Sequence, residues 1–289
     1  MARRGAPPVA EPRSLILPAW TYYAAFFLAP LGIIVAYAFA VRSGFFDITF
    51  GLYLENFQEL WDPLYLKIYS NTIIMALTGT VGCLLVGYPF AYWLATRAGR
   101  RKTLFLLLVI VPFWTSILIR TYAWVLLLHP EGPISSGLQG LQLIGEPLDI
   151  LYTSRAVFIG VLYDYLPLMV FPLYVSIERM DRRLVEASRD LGAGRWSTFR
   201  RVTLPLTLPG VATGCLLVFV PMMGEYVVPT ILGGAKGAYF GPIVAGAFLD
   251  AFDYPFGAAM SLSLVVVLLV AIFFYLRLLG RAETLEPAR

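Results

Sequence analysis

The feature that most constrains this chain is a set of six long apolar runs almost free of Asp, Glu, Lys and Arg. They are Ser14 to Val41, Ile68 to Thr96, Thr103 to Leu128 interrupted only by Arg120, Ala156 to Ile177 interrupted only by Asp164, Val202 to Gly224, and Tyr254 to Leu276. A helix that crosses the hydrocarbon core needs about 20 predominantly apolar residues, and each run is long enough. The chain is 59% apolar and 14% charged, with a mean hydropathy of +0.75, whereas a soluble domain carries about 25% charge. Those values exclude a water-soluble globule. They exclude a disordered chain as well, because disorder needs low hydrophobicity and high charge. The expected class is an all-α integral membrane protein with six transmembrane helices.

The charges between the runs set the orientation. Of the 22 basic residues, all but Arg42, Lys67, Arg120, Arg155 and Lys236 fall in segments that share one side if the N-terminus is inside. Cytoplasmic loops are enriched in Lys and Arg, so both termini are expected in the cytoplasm. The layout is then a tail over residues 1–13, a single transmembrane domain over 14–276 that includes a cytoplasmic loop at 178–203, and a tail over 277–289. The first run has a basic N-region and a cleavage-like Ala38-Phe39-Ala40, but its uncharged stretch from Ser14 to Val41 far exceeds a signal core of about 7–15 residues. It is expected to be retained as a span. Residues 42–67 and 129–155 are the outer loops, and Phe240 to Phe252 has the spacing of a short helix at the outer rim. Pro89, Pro112, Pro167, Pro172, Pro209 and Pro221 fall inside the spans, where each removes a backbone donor.

Enzymatic chemistry and metal binding find little support. Cys83 and Cys215 lie far apart in apolar runs and are read as small buried side chains, and His129 is the only histidine. There is no spacing for a zinc site or a nucleophile and base, and no metal or catalytic residue is assigned. The phosphate-cradling pattern Gly-x-x-x-x-Gly-Lys-Ser/Thr is absent from the sequence.

The loop 178–203 is the most specific segment. Asp181 is a good N-cap, Arg182 and Glu186 stand at i and i+4, and Gly192 follows as a helix stop. Arg195-Trp-Ser-Thr-Phe-Arg-Arg201 forms a second short amphipathic segment before Leu204-Pro205 opens the next span. By composition alone such a loop could simply lie on lipid headgroups. Its spacing is Glu186-Ala187-Ser188, three residues, Gly192, nine residues, Val202, one residue, Leu204-Pro205. This resembles the EAA loop of binding-protein-dependent ABC importer permeases, with Ser188 and Val202 as conservative departures.

The resemblance extends over roughly residues 15–276. Pro112-Phe-Trp-Thr-Ser-Ile-Leu-Ile-Arg-Thr-Tyr-Ala-Trp124, Leu166-Pro-Leu-Met-Val-Phe-Pro-Leu-Tyr174, Gly224-Glu-Tyr-Val-Val-Pro229, Leu232-Gly-Gly234 and Tyr254-Pro-Phe-Gly-Ala258 are similar to the spermidine/putrescine branch of that family. The resemblance implies a type I importer permease in the bacterial inner membrane. It implies that Glu186, Ala187, Ser188, Gly192, Leu204 and Pro205 couple to an ATPase. It also implies three kinds of partner: a second permease subunit in a heterodimer, an ATPase dimer that holds the ATP and magnesium, and an external substrate-binding protein. No cofactor is expected on this chain itself, and no nucleic acid partner. The alternative is the same kind of permease carrying another small organic cation or a different solute.

A polyamine is cationic, and cations are held by carboxylates and by aromatic faces. Asp164 and Glu225 are acids at membrane depth, where a carboxylate usually faces a cavity or a partner. Trp114, Tyr122, Trp124, Tyr163, Tyr165 and Tyr226 complete the candidate path. For each aromatic the other reading is an interfacial belt or helix packing, and for Glu225 it is a structural pair with a base such as Arg120.

The expected topology is open to a direct test. Cysteines introduced at Glu59 and Gly145 should react with an impermeant thiol reagent added to intact cells, and one at Arg100 should not. Labelling at position 100 in sealed cells would reject the orientation.

Overall fold

Hydrocarbon gives a peptide group no hydrogen-bond partner, so only chains that satisfy their backbone internally can cross it, and the computed structural model is accordingly helical. It describes residues 17–44, 47–234 and 238–283. The N-terminal tail 1–13, Lys236 and the last part of the C-terminal tail lie outside the described residues.

The helices are α1 (Leu17–Tyr23), α2 (Ala29–Ala38), α3 (Glu55–Glu59), α4 (Pro63–Arg97), α5 (Lys102–Phe113), α6 (Ile117–Leu128) and α7 (Pro133–Gly140). They continue with α8 (Ser154–Arg179), α9 (Arg182–Asp190), α10 (Arg195–Thr198), α11 (Leu204–Met223), α12 (Val227–Gly233), α13 (Phe240–Leu249) and α14 (Tyr254–Glu283). A π turn, Ala24–Leu28, joins α1 to α2. One two-stranded ribbon pairs β1 (Val41–Arg42) antiparallel with β2 (Ile48–Thr49). Among the described residues, Trp20–Ala38, Pro63–Arg97, Ser154–Arg179, Arg195–Met223 and Tyr254–Arg277 are long and apolar enough to span, which makes five. A sixth span arises if Gly99–Phe113 and Ile117–Gly140, bent by 91°, count as one.

That bend is the main departure from the sequence reading, which takes Thr103 to Leu128 as one run. The sequence Trp114-Thr115-Ser116 supplies its own exit from the helix. Trp114 N–H donates to the Ile110 and Val111 carbonyls, and the Thr115 hydroxyl donates to the Pro112 carbonyl at 2.6 Å. Ser116 then leaves helical geometry at φ −57°, ψ 131°. Thr and Ser side chains that bond nearby backbone groups let a helix stop without orphaned carbonyls. The second departure is that Arg195 to Thr203 does not form a detached segment. α10 passes through a π turn, Phe199–Thr203, straight into α11.

The chain divides into two compact units, one made of Met1–Leu60 with Ala247–Val266 and the other of Trp61–Gly246 with Val267–Arg289. In the first, Ala38, Ala258 and Ala259 pack together at no more than 1% exposure, with Phe57 and Phe248 against them. Asn56 is buried there, and its Nδ2 donates to the Ala38 and Ala40 carbonyls at 3.2 and 2.7 Å. It thereby satisfies the chain where α2 ends. Arg42 donates to the Ala251 carbonyl at 3.1 Å and lies 3.9 Å from Asp253.

The second unit is built on mutual packing of α4, α8 and α11. The Asp62 side chain caps α4 by accepting from Leu64 N–H at 2.8 Å, with Pro63 in the first turn. Water drives no association inside a bilayer, so close approach through small residues holds helices together. A Cβ on Gly79 of α4 would lie 2.5 Å from Met222 Sδ, and one on Gly210 of α11 would lie 2.8 Å from the Pro172 carbonyl of α8. Buried hydroxyls are absorbed locally: Thr72, Thr80 and Thr207 donate to carbonyls four residues back, at 2.7–2.9 Å. Cys83 is buried as expected, and Cys215 is half-buried.

Candidate functional site

The two intramembrane acids of the sequence analysis lie in one packed cluster. Asp164 is 5% exposed and Glu225 is 8% exposed. A carboxylate so placed needs compensation, and each obtains it differently. Asp164 on α8 pairs through Oδ1 with a guanidinium nitrogen of Arg120 on α6 at 3.0 Å. Arg120 also lies over the Phe113 ring, 5.7 Å from its centroid. Its Nε is buried without a hydrogen-bond partner among the described residues.

Glu225 sits in the break between α11 and α12. Its Oε1 accepts from Val227 N–H at 2.9 Å and Val228 N–H at 3.3 Å, two amides that open α12 and have no carbonyl within the helix to bond. Its Oε2 accepts from the Tyr165 hydroxyl at 2.5 Å. The carboxylate thus stands in for a missing helical turn and ties it to α8. Asp164 and Tyr165 are neighbours on α8, so the cluster runs from Arg120 through both to Glu225. Its charged groups are two carboxylates and one guanidinium, joined by the Tyr165 phenol. Arg120 therefore pairs with Asp164 and not with Glu225. The signal for it was present in the sequence, since a base inside an apolar run is a functional or pairing residue by default.

The structure brings some of the candidate aromatics together and leaves others apart. Trp124 and Tyr163 meet edge to face, with ring centroids 5.6 Å apart. Trp114 lies at the break between α5 and α6 and is 82% exposed. Tyr122 and Tyr226 are also exposed.

The loop between α8 and α11 forms a second candidate site. The Asp181 carboxylate caps α9 by accepting from Arg183 N–H at 3.0 Å. At the other end Ala193 N–H donates to the Ser188 carbonyl and Gly192 N–H to the Arg189 carbonyl, with Gly192 at φ +83°. This pair of bonds is a Schellman motif, which favours glycine because a left-handed backbone strains residues with a Cβ. The Ser188 and Thr198 hydroxyls lie 3.2 Å apart and link α9 to α10. α9 shows two faces. Leu184, Ala187, Ser188 and Leu191 border one groove of about 600 Å³ together with Pro205. Arg182, Val185, Glu186 and Arg189 border a different one. The coupling candidates are thus split, with Glu186 on the face away from Ala187 and Ser188. Leu204 is half-buried at the start of α11.

The ion pair yields a stability prediction. Arg120→Leu leaves Asp164 buried and unpaired and should cost about 3–5 kcal/mol. Arg120→Leu combined with Asp164→Leu should cost less than the single change. Thermal unfolding in detergent, followed by tryptophan fluorescence, would show it. A double variant less stable than the single would remove the pair as the origin of the effect.

Comparison with known proteins gives the family. Residues 87–283 match the family described as "Binding-protein-dependent transport system inner membrane component". The spermidine/putrescine transport system permease protein PotB of Haemophilus influenzae is 40% identical over 274 residues, covering 94% of this chain and 95% of that protein. The crystal structure of a bacterial ABC transporter that imports the acidic polysaccharide alginate superposes with a TM-score of 0.74. It is 16% identical and covers 95% of this chain and 96% of the other. A structure of the bacterial alginate transporter in complex with an alginate-bound periplasmic protein gives a TM-score of 0.70 at 16% identity, covering 91% of each chain. With its apolar spans, its capped loop and these likenesses, the chain belongs to the binding-protein-dependent transport system inner membrane components and is a transport subunit rather than an enzyme.

Proposed function

We propose that the chain forms one half of the translocation pathway of a polyamine importer. The observation that carries this reading is identity near 40% along almost the whole length of a spermidine/putrescine permease. The chemistry of the buried cluster supports it. Two carboxylates against one guanidinium, with Trp124 and Tyr163 in contact nearby on the same two helices, suit a cationic amine better than an anion or a sugar. The partners are a second permease subunit in a heterodimer, an external binding protein that delivers the substrate, and an ATPase dimer that binds the nucleotide. Both termini face the cytoplasm, and the loop 178–203 meets the ATPase there. The transmembrane domain is one unit of function over residues 14–276.

Uptake of labelled spermidine and putrescine tests the substrate, with Glu225→Gln and Asp164→Asn assayed beside expression and complex assembly. Gln at 225 retains an oxygen for the Val227 and Val228 amides, so the change removes charge more than structure. If the acids guide a cation, the variants assemble normally and lose about tenfold or more of uptake at low substrate, the loss of one charge-assisted contact. Normal uptake by both variants would sink this role. Uptake of an unrelated solute in place of polyamines would replace the substrate.

Coupling is tested separately. Gly192→Asp places a side chain at φ +83° in the Schellman turn, and Glu186→Lys reverses a charge on α9. Each should leave the protein in the membrane and stop ATP-driven uptake. Undiminished uptake with normal ATPase association would remove the loop from the mechanism.

A further inference from the structure

Four arginines converge on one groove where the spanning helices end. Arg97 is the last residue of α4, Arg182 and Arg189 share a face of α9, and Arg195 opens α10. With Glu186 and Tyr92 they line a recess of about 430 Å³. All four are exposed, and Glu186 is the only carboxylate in the lining, so the recess carries a surplus of positive charge. Arg182 is already oriented, because its guanidinium donates to the Ala95 carbonyl at 2.6 Å. A general basic bias of these loops does not account for the arrangement. Arg183, Arg200 and Arg201 are equally exposed and close in sequence, and they do not border the recess.

The level of the groove in the membrane indicates its occupant. α4 and α8 end beside it, and the helix that starts at Arg195 enters the next span. Trp93 and Trp196, 38% and 72% exposed, flank it in sequence on α4 and α10. Tryptophan settles at the depth of lipid headgroups, and basic pockets at the ends of spans suit anionic headgroups. Guanidinium forms paired hydrogen bonds with phosphate oxygens.

We propose that this groove binds the phosphodiester headgroup of an anionic phospholipid through Arg97, Arg189 and Arg195, with Arg182 held ready by Ala95. A headgroup there bridges the end of α4 to α9 and braces the loop against the membrane domain. The headgroup sits among the arginines beside Glu186, so it shares that face of α9 with a partner that meets Glu186, whereas Leu184, Ala187, Ser188 and Leu191 border the other groove. The site stands on the geometry of the span ends and does not depend on the transported solute.

The test uses the full-length protein, purified in mild detergent with the subunits that accompany it and offered equal amounts of phosphatidylglycerol and phosphatidylcholine. Native mass spectrometry reads the lipid retained. The wild type should hold phosphatidylglycerol in preference. Arg97→Gln and Arg189→Gln should each lower that retention about fivefold, the effect of one basic residue near an anionic surface. Arg189→Lys should recover most of it, which separates lost charge from a damaged fold. Arg183→Gln, which removes the same charge outside the groove, should retain the preference. An equal loss with Arg183→Gln would overturn the proposal, because net charge alone would then explain binding. Displacement of the lipid by millimolar inorganic phosphate would overturn it in favour of a small-anion site. Unchanged lipid with loss of a copurifying subunit in Arg97→Gln would assign the groove to protein docking instead.

Discussion

A backbone amide or carbonyl in hydrocarbon must find its partner within the protein, and the architecture of this chain follows from how it meets that demand. Where the sequence allows uninterrupted helix, as in α4 and α8, it forms runs of 35 and 26 residues even though Pro89, Pro167 and Pro172 lie inside them. Where the helix must break, a side chain replaces the missing bond. Thr115 takes a carbonyl at the end of α5, and Glu225 receives the first amides of α12. Buried threonines repeat the device along α4 and α11. The break at Glu225 brings a carboxylate against Tyr165 of α8.

The same reasoning links the acids to the helices. Burial makes an isolated carboxylate untenable, so Asp164 is matched by Arg120 and Glu225 by two amides and a phenol. The cluster thereby fastens α6, α8 and the start of α12 to one another. On the proposed function, a cationic solute that competes for either carboxylate would loosen those ties.

At the other end of α8 the fold offers a short helix held at both termini. The Asp181 cap and the Schellman turn at Gly192 fix its length, and the Ser188 to Thr198 contact fixes it to α10. One face of this helix sets Leu184, Ala187 and Leu191 beside Pro205, and the other sets Arg182 and Arg189 beside the end of α4. α10 runs through a π turn into α11, so the Ser188 to Thr198 contact ties α9 to the start of a spanning helix.

Much of this was legible in the sequence because it depends on neighbours along the chain. The apolar runs set the number of candidate spans, the clustered arginines gave an orientation to test, and Asp181 with Gly192 marked the ends of α9, since caps act within a few residues. The candidate acids were visible too, because a carboxylate in an apolar run stands out. What the sequence left open was pairing over distance. The sequence set Arg120 against Glu225, and only the packing of α6 on α8 assigns it to Asp164 instead. The 91° bend after Phe113 was hidden for a similar reason, because an apolar run reads alike whether its helix continues straight or turns. The groove shared by Arg97, Arg182, Arg189 and Arg195 joins positions nearly a hundred residues apart. Periodicity reports which side of one helix is apolar, whereas the identity of the surface facing it is decided by tertiary packing.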